Sequence, residues 1–133
     1  MISMKSATLA VAAIAAALAA GAAHAHHAAV MFDRSKPVVV RGTVKDFQWV
    51  NPHAFLLVTA DAGQPEGGKT WVIEMTSPGR LNRDGWTKRT VSPGDKIEVQ
   101  IGPLRSGGAA GVFMQGKKLP SGEVLGDPGA APG

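Results

Sequence analysis

Apolar and polar residues alternate along much of this chain, and this pattern restricts the possible folds more than any other feature. The clearest case is residues 96–101, where Ile97, Val99 and Ile101 are separated by charged or polar residues. Side chains two positions apart lie on the same face of a strand, so the segment predicts a strand with one buried face. Comparable segments elsewhere in the chain predict an all-β domain.

The first of these segments, residues 38–49, is the longest and changes phase once. Its apolar residues are Val38, Val40, Val44, Phe47 and Trp49. The spacing shifts by one residue near Lys45 and Asp46, which predicts a β-bulge. Gly42 lies in the middle, where the missing side chain would relieve crowding. The segment therefore predicts a long, bent first strand.

Turn-forming residues separate the remaining predicted strands. A proline turn precedes a strand over residues 53–60, and a glycine-rich hairpin loop leads from it to a strand over residues 70–76. The fourth strand covers residues 96–101, and a second glycine-rich loop leads to a fifth over residues 112–119. The domain is therefore expected to contain five strands.

A short helix is predicted between the third and fourth strands. Ser77 is a good N-cap before Pro78, and Gly85 marks the end of a helix over residues 78–84. Three strands, a helix and two strands is the order of a small five-stranded OB-like barrel, in which a bent first strand closes the sheet. The competing architecture is an open β-sandwich, which five strands would fill less well.

The N-terminus has the pattern of a secretory signal peptide. Lys5 precedes an alanine-rich apolar run over residues 7–20. This run is too short and too rich in alanine for a bilayer span, which needs roughly 20 strongly apolar residues. We therefore expect an exported, periplasmic protein with no stable membrane span after processing. Cleavage after Ala25 is favoured over cleavage after Ala23.

Cleavage after Ala25 divides the chain into three parts. Residues 1–25 are the predicted signal peptide, residues 26–125 a single β-barrel domain, and residues 126–133 a disordered tail. The mature chain would hold 108 of the 133 residues, which suffices for one domain with a modest core.

Composition excludes several function classes. The chain has no cysteine, so it contains neither a disulfide nor a thiolate ligand or nucleophile. Without Lys5, 13 basic side chains remain against 10 acidic ones, and they are spread along the chain. Because a basic stripe is missing, we expect no nucleic-acid partner.

Several short blocks together resemble one protein family. They are His26-His27, Met31-Phe32-Asp33, Gly42-Thr43-Val44-Lys45, Phe47, Trp49, Asn51-Pro52-His53, Trp71, Glu74, Ser77-Pro78, Leu81, Arg83, Gly85-Trp86, Pro93-Gly94-Asp95, Pro103-Leu104-Arg105 and Gly107-Gly108. The chain thus resembles a family of small secreted proteins of Gram-negative bacteria that is classed as a domain of unknown function. The resemblance implies export and a single small domain, and it supplies no activity.

Histidines are the best candidates for a metal site. Cleavage after Ala25 would create a chain-terminal amine on His26, with which its imidazole and that of His27 could chelate copper. Cleavage after Ala23 would instead place His24 first and His26 third, which also suits Cu(II). His53, held at a strand start by the preceding proline, is the predicted third ligand. The alternative is that the terminal histidines are solvated side chains with no metal-binding role.

Sulfur and indole groups form a second candidate set. They are Met31, Trp49, Trp71, Met75 and Met114. Small periplasmic copper carriers with OB barrels bind Cu(I) through histidine and methionine beside a tryptophan, and thioethers suit that ion. The likeness is of composition and fold alone. Trp71, Ile73 and Met75 equally fit the core face of the third strand.

No arrangement of residues predicts catalysis. Glu74 and Asp46 could act as an acid and a base, but each is predicted on an outward strand face. Ser77 is explained by its capping role, and Gly107-Gly108 lacks the lysine of a phosphate loop. We therefore expect no enzyme.

A metal-free binding module for an envelope protein or small ligand is the alternative to a copper-binding protein. OB barrels bind ligands across strands two and three, which would offer Phe55, Trp71 or their outward neighbours. Trp86 could either cover one end of the barrel or form a docking patch with nearby basic residues. Those residues are Arg80, Arg83, Lys88 and Arg89.

Overall fold

The computed structural model describes residues 30–126. The chain divides after Met31, and the barrel belongs to the second unit, which begins at Phe32. The predicted signal peptide, with both cleavage positions, and the predicted tail beyond Gly126 lie outside the described residues. Within the described part, no helix is both long and apolar enough to cross a bilayer.

Five strands close into a barrel. They are β1 (Val38–Gln48), β2 (Phe55–Ala60), β3 (Thr70–Glu74), β4 (Lys96–Pro103) and β5 (Ala110–Lys118), with helix α1 (Pro78–Arg83) between β3 and β4. Their order around the barrel is β1-β2-β3-β5-β4. Neighbours are antiparallel except β3 and β5, which are parallel. The predicted all-β, five-stranded OB-like barrel with a short helix is confirmed, and the open sandwich is wrong.

Strand β1 bends and pairs with β4 along its first part and with β2 along its last part. Its pairing with β2 shifts between Val44 and Asp46, where the sequence predicts a bulge. Gly42 permits the close approach of β2, since a Cβ atom on it would lie 2.2 Å from the carbonyl oxygen of Thr59. Any side chain here would push the two strands apart.

The alternating residues of the strands fill the barrel. The buried apolar side chains are Val40, Val44, Ala54, Leu56, Val58, Ala60, Trp71, Ile73, Met75, Leu81, Trp86, Val91, Ile97, Val99, Ile101 and Leu125. Leu81 comes from α1, whereas Trp86 and Val91 come from the loop that follows it. These three residues cover an interior that the strands alone would leave open.

Helix α1 begins and ends as its sequence predicts. The hydroxyl of Ser77 accepts a hydrogen bond from the backbone N–H of Arg80 at 3.3 Å. Pro78 occupies the first turn, where its missing N–H costs no hydrogen bond. Gly85 follows the helix with a φ of 83°, a conformation that glycine adopts without strain. Capping therefore fixes a helix of less than two turns.

Strands β2 and β3 are shorter than predicted, whereas β4 and β5 are longer. Backbone pairing nevertheless continues beyond β2 and β3, because Ala54 exchanges hydrogen bonds with Thr76 and Met75. At the other junction, the N–H of Leu104 donates to the carbonyl of Ala110 at 3.0 Å. This bond closes the loop between β4 and β5 and extends both strands toward it.

Candidate functional site

His53 lies between the β1–β2 turn and the start of β2, with its ring fixed by β3. Its Nδ1 atom is 2.9 Å from the carbonyl oxygen of Met75. A carbonyl oxygen can only accept, so Nδ1 carries the proton and donates it. The same nitrogen lies 3.4 Å from Oε1 of Glu74. The ring is therefore oriented by one carbonyl and one carboxylate at the edge of the barrel.

Strand register explains why His53 and Glu74 meet. The β2–β3 hairpin pairs Thr59 with Thr70 and, further along, Phe55 with Glu74. His53 precedes β2 by two residues and so reaches the end of β3. Both side chains are about one third exposed. Sequence reasoning assigned Glu74 only to a solvated strand face, although counting register back from the hairpin would have placed it near His53.

Of the three predicted copper ligands, the structure places His53 alone. His26 and His27 lie outside the described residues. Within residues 30–126, no three histidine, cysteine or acidic side chains come together in a group that could hold a metal ion. The predicted metal site therefore stays a prediction, for which the barrel offers one positioned imidazole.

Of the sulfur and indole groups, Trp71 and Met75 belong to the core and Trp49 packs against it, whereas Met31 is 38% exposed. Trp71 and Met75 are buried with Ile73 on the inner face of β3, and the indole N–H of Trp71 donates to the carbonyl of Pro65 at 2.9 Å. Trp71 is therefore not exposed on the outer face of β2 and β3, where one prediction placed it as a ligand-binding residue. Packing in the core accounts for Trp71 and Met75, as expected of large apolar side chains that alternate with outward-facing residues along a strand.

The outer surface of β2 and β3 carries apolar side chains instead. Leu57 lies opposite Val72, and Phe55 lies opposite Glu74. Beyond β3, Val112 of β5 pairs with Glu74. Val72 is 43% exposed, and Phe55, Leu57 and Val112 are partly exposed. We call Phe55, Leu57, Val72, Val112, Glu74 and the neighbouring Asp46 of β1 the outer β2–β3 face.

Trp86 is a core residue and not part of an exposed docking patch. It is only 3% exposed, and its ring centroid lies 5.9 Å from that of Phe47 and 5.3 Å from that of Phe113. Trp49 continues this cluster, 5.6 Å from Phe47. Of the two alternatives predicted for Trp86, the burial fits a cover over one end of the barrel. The docking patch is wrong, because the indole is buried and Arg80 pairs with Asp84 at the end of α1.

The predicted acid and base do not form a pair. Asp46 is opposite Leu57, whereas Glu74 is opposite Phe55, so β2 lies between the two carboxylates. Two strand spacings and an offset of two residues separate their backbones by about 12 Å. Asp46 instead accepts hydrogen bonds from the N–H of Phe47 and the amide of Gln48.

Charged side chains form a separate network on the opposite half of the barrel. Glu98 accepts a hydrogen bond from Nε of Arg41 at 2.6 Å, and Nζ of Lys117 lies 3.3 Å from its other oxygen. The hydrogen bond from Arg41, with a further contribution from Lys117, lowers the pKa of Glu98 below its ordinary value. These groups satisfy one another, which is typical of a structural ion pair.

One comparison with known proteins identifies the family. Residues 13–114 match DUF6152, a family of unknown function. The chain belongs to the DUF6152 family. The predicted resemblance to a domain of unknown function is thereby confirmed, and the DUF6152 assignment adds no activity to the geometry described above.

The other comparisons assign no activity to this DUF6152 member. No curated protein matches the chain significantly. A crystal structure of the ZRD-deleted mutant of TiaS in complex with agmatine is similar, with a TM-score of 0.46 and 14% sequence identity over 71% of this chain. The match spans 23% of that protein chain, and so less than a quarter of its length.

Proposed function

We propose that this DUF6152 member is an exported periplasmic copper-binding protein. Its ligands are the chain-terminal amine and imidazole of His26, the imidazole of His27, and His53 from the barrel. The orientation of His53 is the observation that carries the proposal. Export is part of the proposal, because only signal cleavage would turn His26 into a chain-terminal chelating group.

The hydrogen bond from Nδ1 of His53 to the Met75 carbonyl resembles the outer-shell bonding of metal-ligating histidines. Such histidines commonly donate one ring N–H to a backbone carbonyl or carboxylate, which fixes the tautomer and the ring plane. With the proton on Nδ1, the ligand lone pair belongs to Nε2. Glu74 lies 3.4 Å from the same Nδ1 atom, where its carboxylate helps to hold the ring plane. His53 thus has the supporting groups that a ligand needs.

A nitrogen-rich chain terminus complements that imidazole. An amine and two imidazoles suit the tetragonal geometry of Cu(II), and among divalent first-row ions affinity for such sites is highest for copper. Imidazole is largely neutral at neutral pH and so able to bind. The chain has no cysteine, so thiolates do not compete for the ion.

Copper titration of the exported protein tests the proposal. Mass spectrometry first establishes the true N-terminus, and isothermal titration then measures Cu(II) binding to that form. We expect a Kd below about 1 µM, weakened at least about tenfold in His53→Ala, which urea unfolding must show to be folded. A variant with one glycine added before His26 keeps all imidazoles but loses the terminal chelate, and it should weaken binding similarly.

Two results would refute this function. A mature terminus beyond His27 removes the chelate altogether. Equal copper affinity in the parent, the His53→Ala variant and the glycine-extended variant would show that any bound ion is held elsewhere. Fractionation of the host cell tests the periplasmic location independently of the metal.

A further inference from the structure

The outer β2–β3 face is apolar where a solvent-facing strand surface is usually polar. In an antiparallel sheet with one buried face, the outer positions ordinarily carry polar residues. Here Phe55 and Leu57 alternate with the buried Leu56 and Val58 along β2, and Val72 lies beside Leu57 with 43% of its surface exposed. A contiguous apolar surface of this kind marks an interaction site more often than an isolated exposed valine does.

The charge of this face is opposite in sign to that of the whole protein. The sequence carries a formal net charge of +4. On this face, however, Asp46 lies beside Leu57 on the neighbouring strand, and Glu74 lies beside Phe55. On the described strands β1, β2, β3 and β5, the one basic side chain at these positions is that of Lys45, the bulge residue beside Asp46, so the two carboxylates still leave a negative charge. Arg34 lies over Gly102, one strand beyond Val112, and so bounds the face.

We propose that the outer β2–β3 face binds a cationic amphipathic peptide segment of a partner protein. Apolar side chains of the segment would cover Phe55, Leu57 and Val72. Its lysine or arginine residues would lie against Asp46 and Glu74, where electrostatic complementarity favours one partner class over others. The strands hold these groups in fixed register, so little ordering of this protein is required on binding.

The same charges argue against other occupants. A second copy using this face in a two-fold contact would bring carboxylates toward carboxylates, because such contacts join identical patches. Nucleic acids and anionic lipid surfaces carry the wrong sign. A basic peptide satisfies both the apolar and the acidic part of the surface.

The probe is a synthetic helical peptide of leucine and lysine, titrated into the mature exported protein by isothermal titration or by amide chemical shifts. Its matched control has glutamate in place of every lysine. Val72→Lys is the disrupting variant, and Val39→Lys is its control, because Val39 is 48% exposed and pairs with Gln100 on the other half of the barrel. Thermal unfolding confirms that both variants are folded.

We expect saturable binding of the lysine peptide, with at least about tenfold loss in Val72→Lys and no more than about twofold loss in Val39→Lys. Asp46→Asn keeps the Oδ1 atom that accepts a hydrogen bond from the backbone N–H of Phe47, but it removes the negative charge. It should weaken binding and reduce its salt dependence. Equal binding of the glutamate peptide, equal losses in the two valine variants, or no saturable binding would each overturn the proposal.

Peptide binding can be distinguished from copper binding, although Glu74 borders both His53 and this face. Neither Val72 nor Asp46 takes part in the hydrogen bonds of His53 described above, so their variants test the face alone, and the titration is run with chelator and again with Cu(II). Peptide binding is expected to be saturable in both conditions. A failure of peptide binding leaves the copper titration intact, and a failure of copper binding leaves the peptide result intact.

Discussion

Replacing Gly42 with alanine should destabilise the barrel strongly, although it adds only one methyl group. The new Cβ atom would lie 2.2 Å from the carbonyl oxygen of Thr59 and 2.9 Å from Cγ1 of Val58. Gly42 pairs with Ala60 on one side and Ile97 on the other, so β1 cannot move away from β2 without straining its pairing with β4.

The magnitude follows from what must move. A carbon–oxygen contact has to lengthen by about 1 Å, which in a closed sheet means stretching ladder hydrogen bonds. Overpacking in a well-packed interior costs about 1–3 kcal/mol, and each weakened hydrogen bond adds about 1 kcal/mol. We expect Gly42→Ala to lose about 3 kcal/mol, or roughly 10–20 °C in the unfolding temperature of a domain of this size.

Gly79→Ala is the matched control, since it is the same substitution in open space. A Cβ atom on Gly79 has no other atom within 4 Å, and Gly79 lies in helix α1. Alanine there should raise stability by about 0.5–1 kcal/mol. Urea unfolding followed by tryptophan fluorescence measures both variants. If Gly42→Ala unfolds within about 1 kcal/mol of the parent with an unchanged m-value, the close crossing of β1 and β2 is refuted.

Two further predictions concern the helix cap and an ion pair. Ser77→Ala should cost about 1 kcal/mol because it removes the acceptor for the first turn of α1; Ser92→Ala should be neutral, since Ser92 contacts Asp95 through its backbone N–H, and equal losses in the two would contradict the capping role. Glu98→Gln should lower stability near pH 7 and by less near about pH 3. The hydrogen bond from Arg41 lowers the pKa of Glu98 in the fold, so its stabilisation is present above the ordinary value of 4.5 and is lost as the pH falls through the lowered pKa. Urea unfolding at the two pH values measures this, and a difference between parent and variant that is undiminished in acid would rule the ion pair out as its cause.

Local sequence patterns predicted the elements of this fold well. The period of two around Ile97 and the phase change before Asp46 each depend on neighbouring residues alone, and both correspond to observed features. The cap at Ser77 is equally local. Barrel closure could also be anticipated, because a long bent strand followed by short strands leaves few other ways to pair every edge.

The candidate sites depended on contacts between distant residues, and prediction was weaker there. For Trp86 the sequence left open a cover over one end of the barrel and a docking patch, because nothing local shows that Phe47 and Phe113 converge on it. Glu74 looked solvated because its contact with His53 requires the hairpin register. Both cases show that a local sequence pattern does not predict which distant residues a side chain contacts.

The parallel contact between β3 and β5 has a consequence for how the molecule opens. These strands pair only along residues 72–74 and 110–112, whereas β4 and β5 pair over residues 97–103. The β3–β5 junction is therefore where local unfolding would begin, and its amides would exchange with solvent before those of β1 and β4. Because Val72 lies at this junction, a peptide segment bound there would also stabilise the β3–β5 pairing and slow the exchange of its amides.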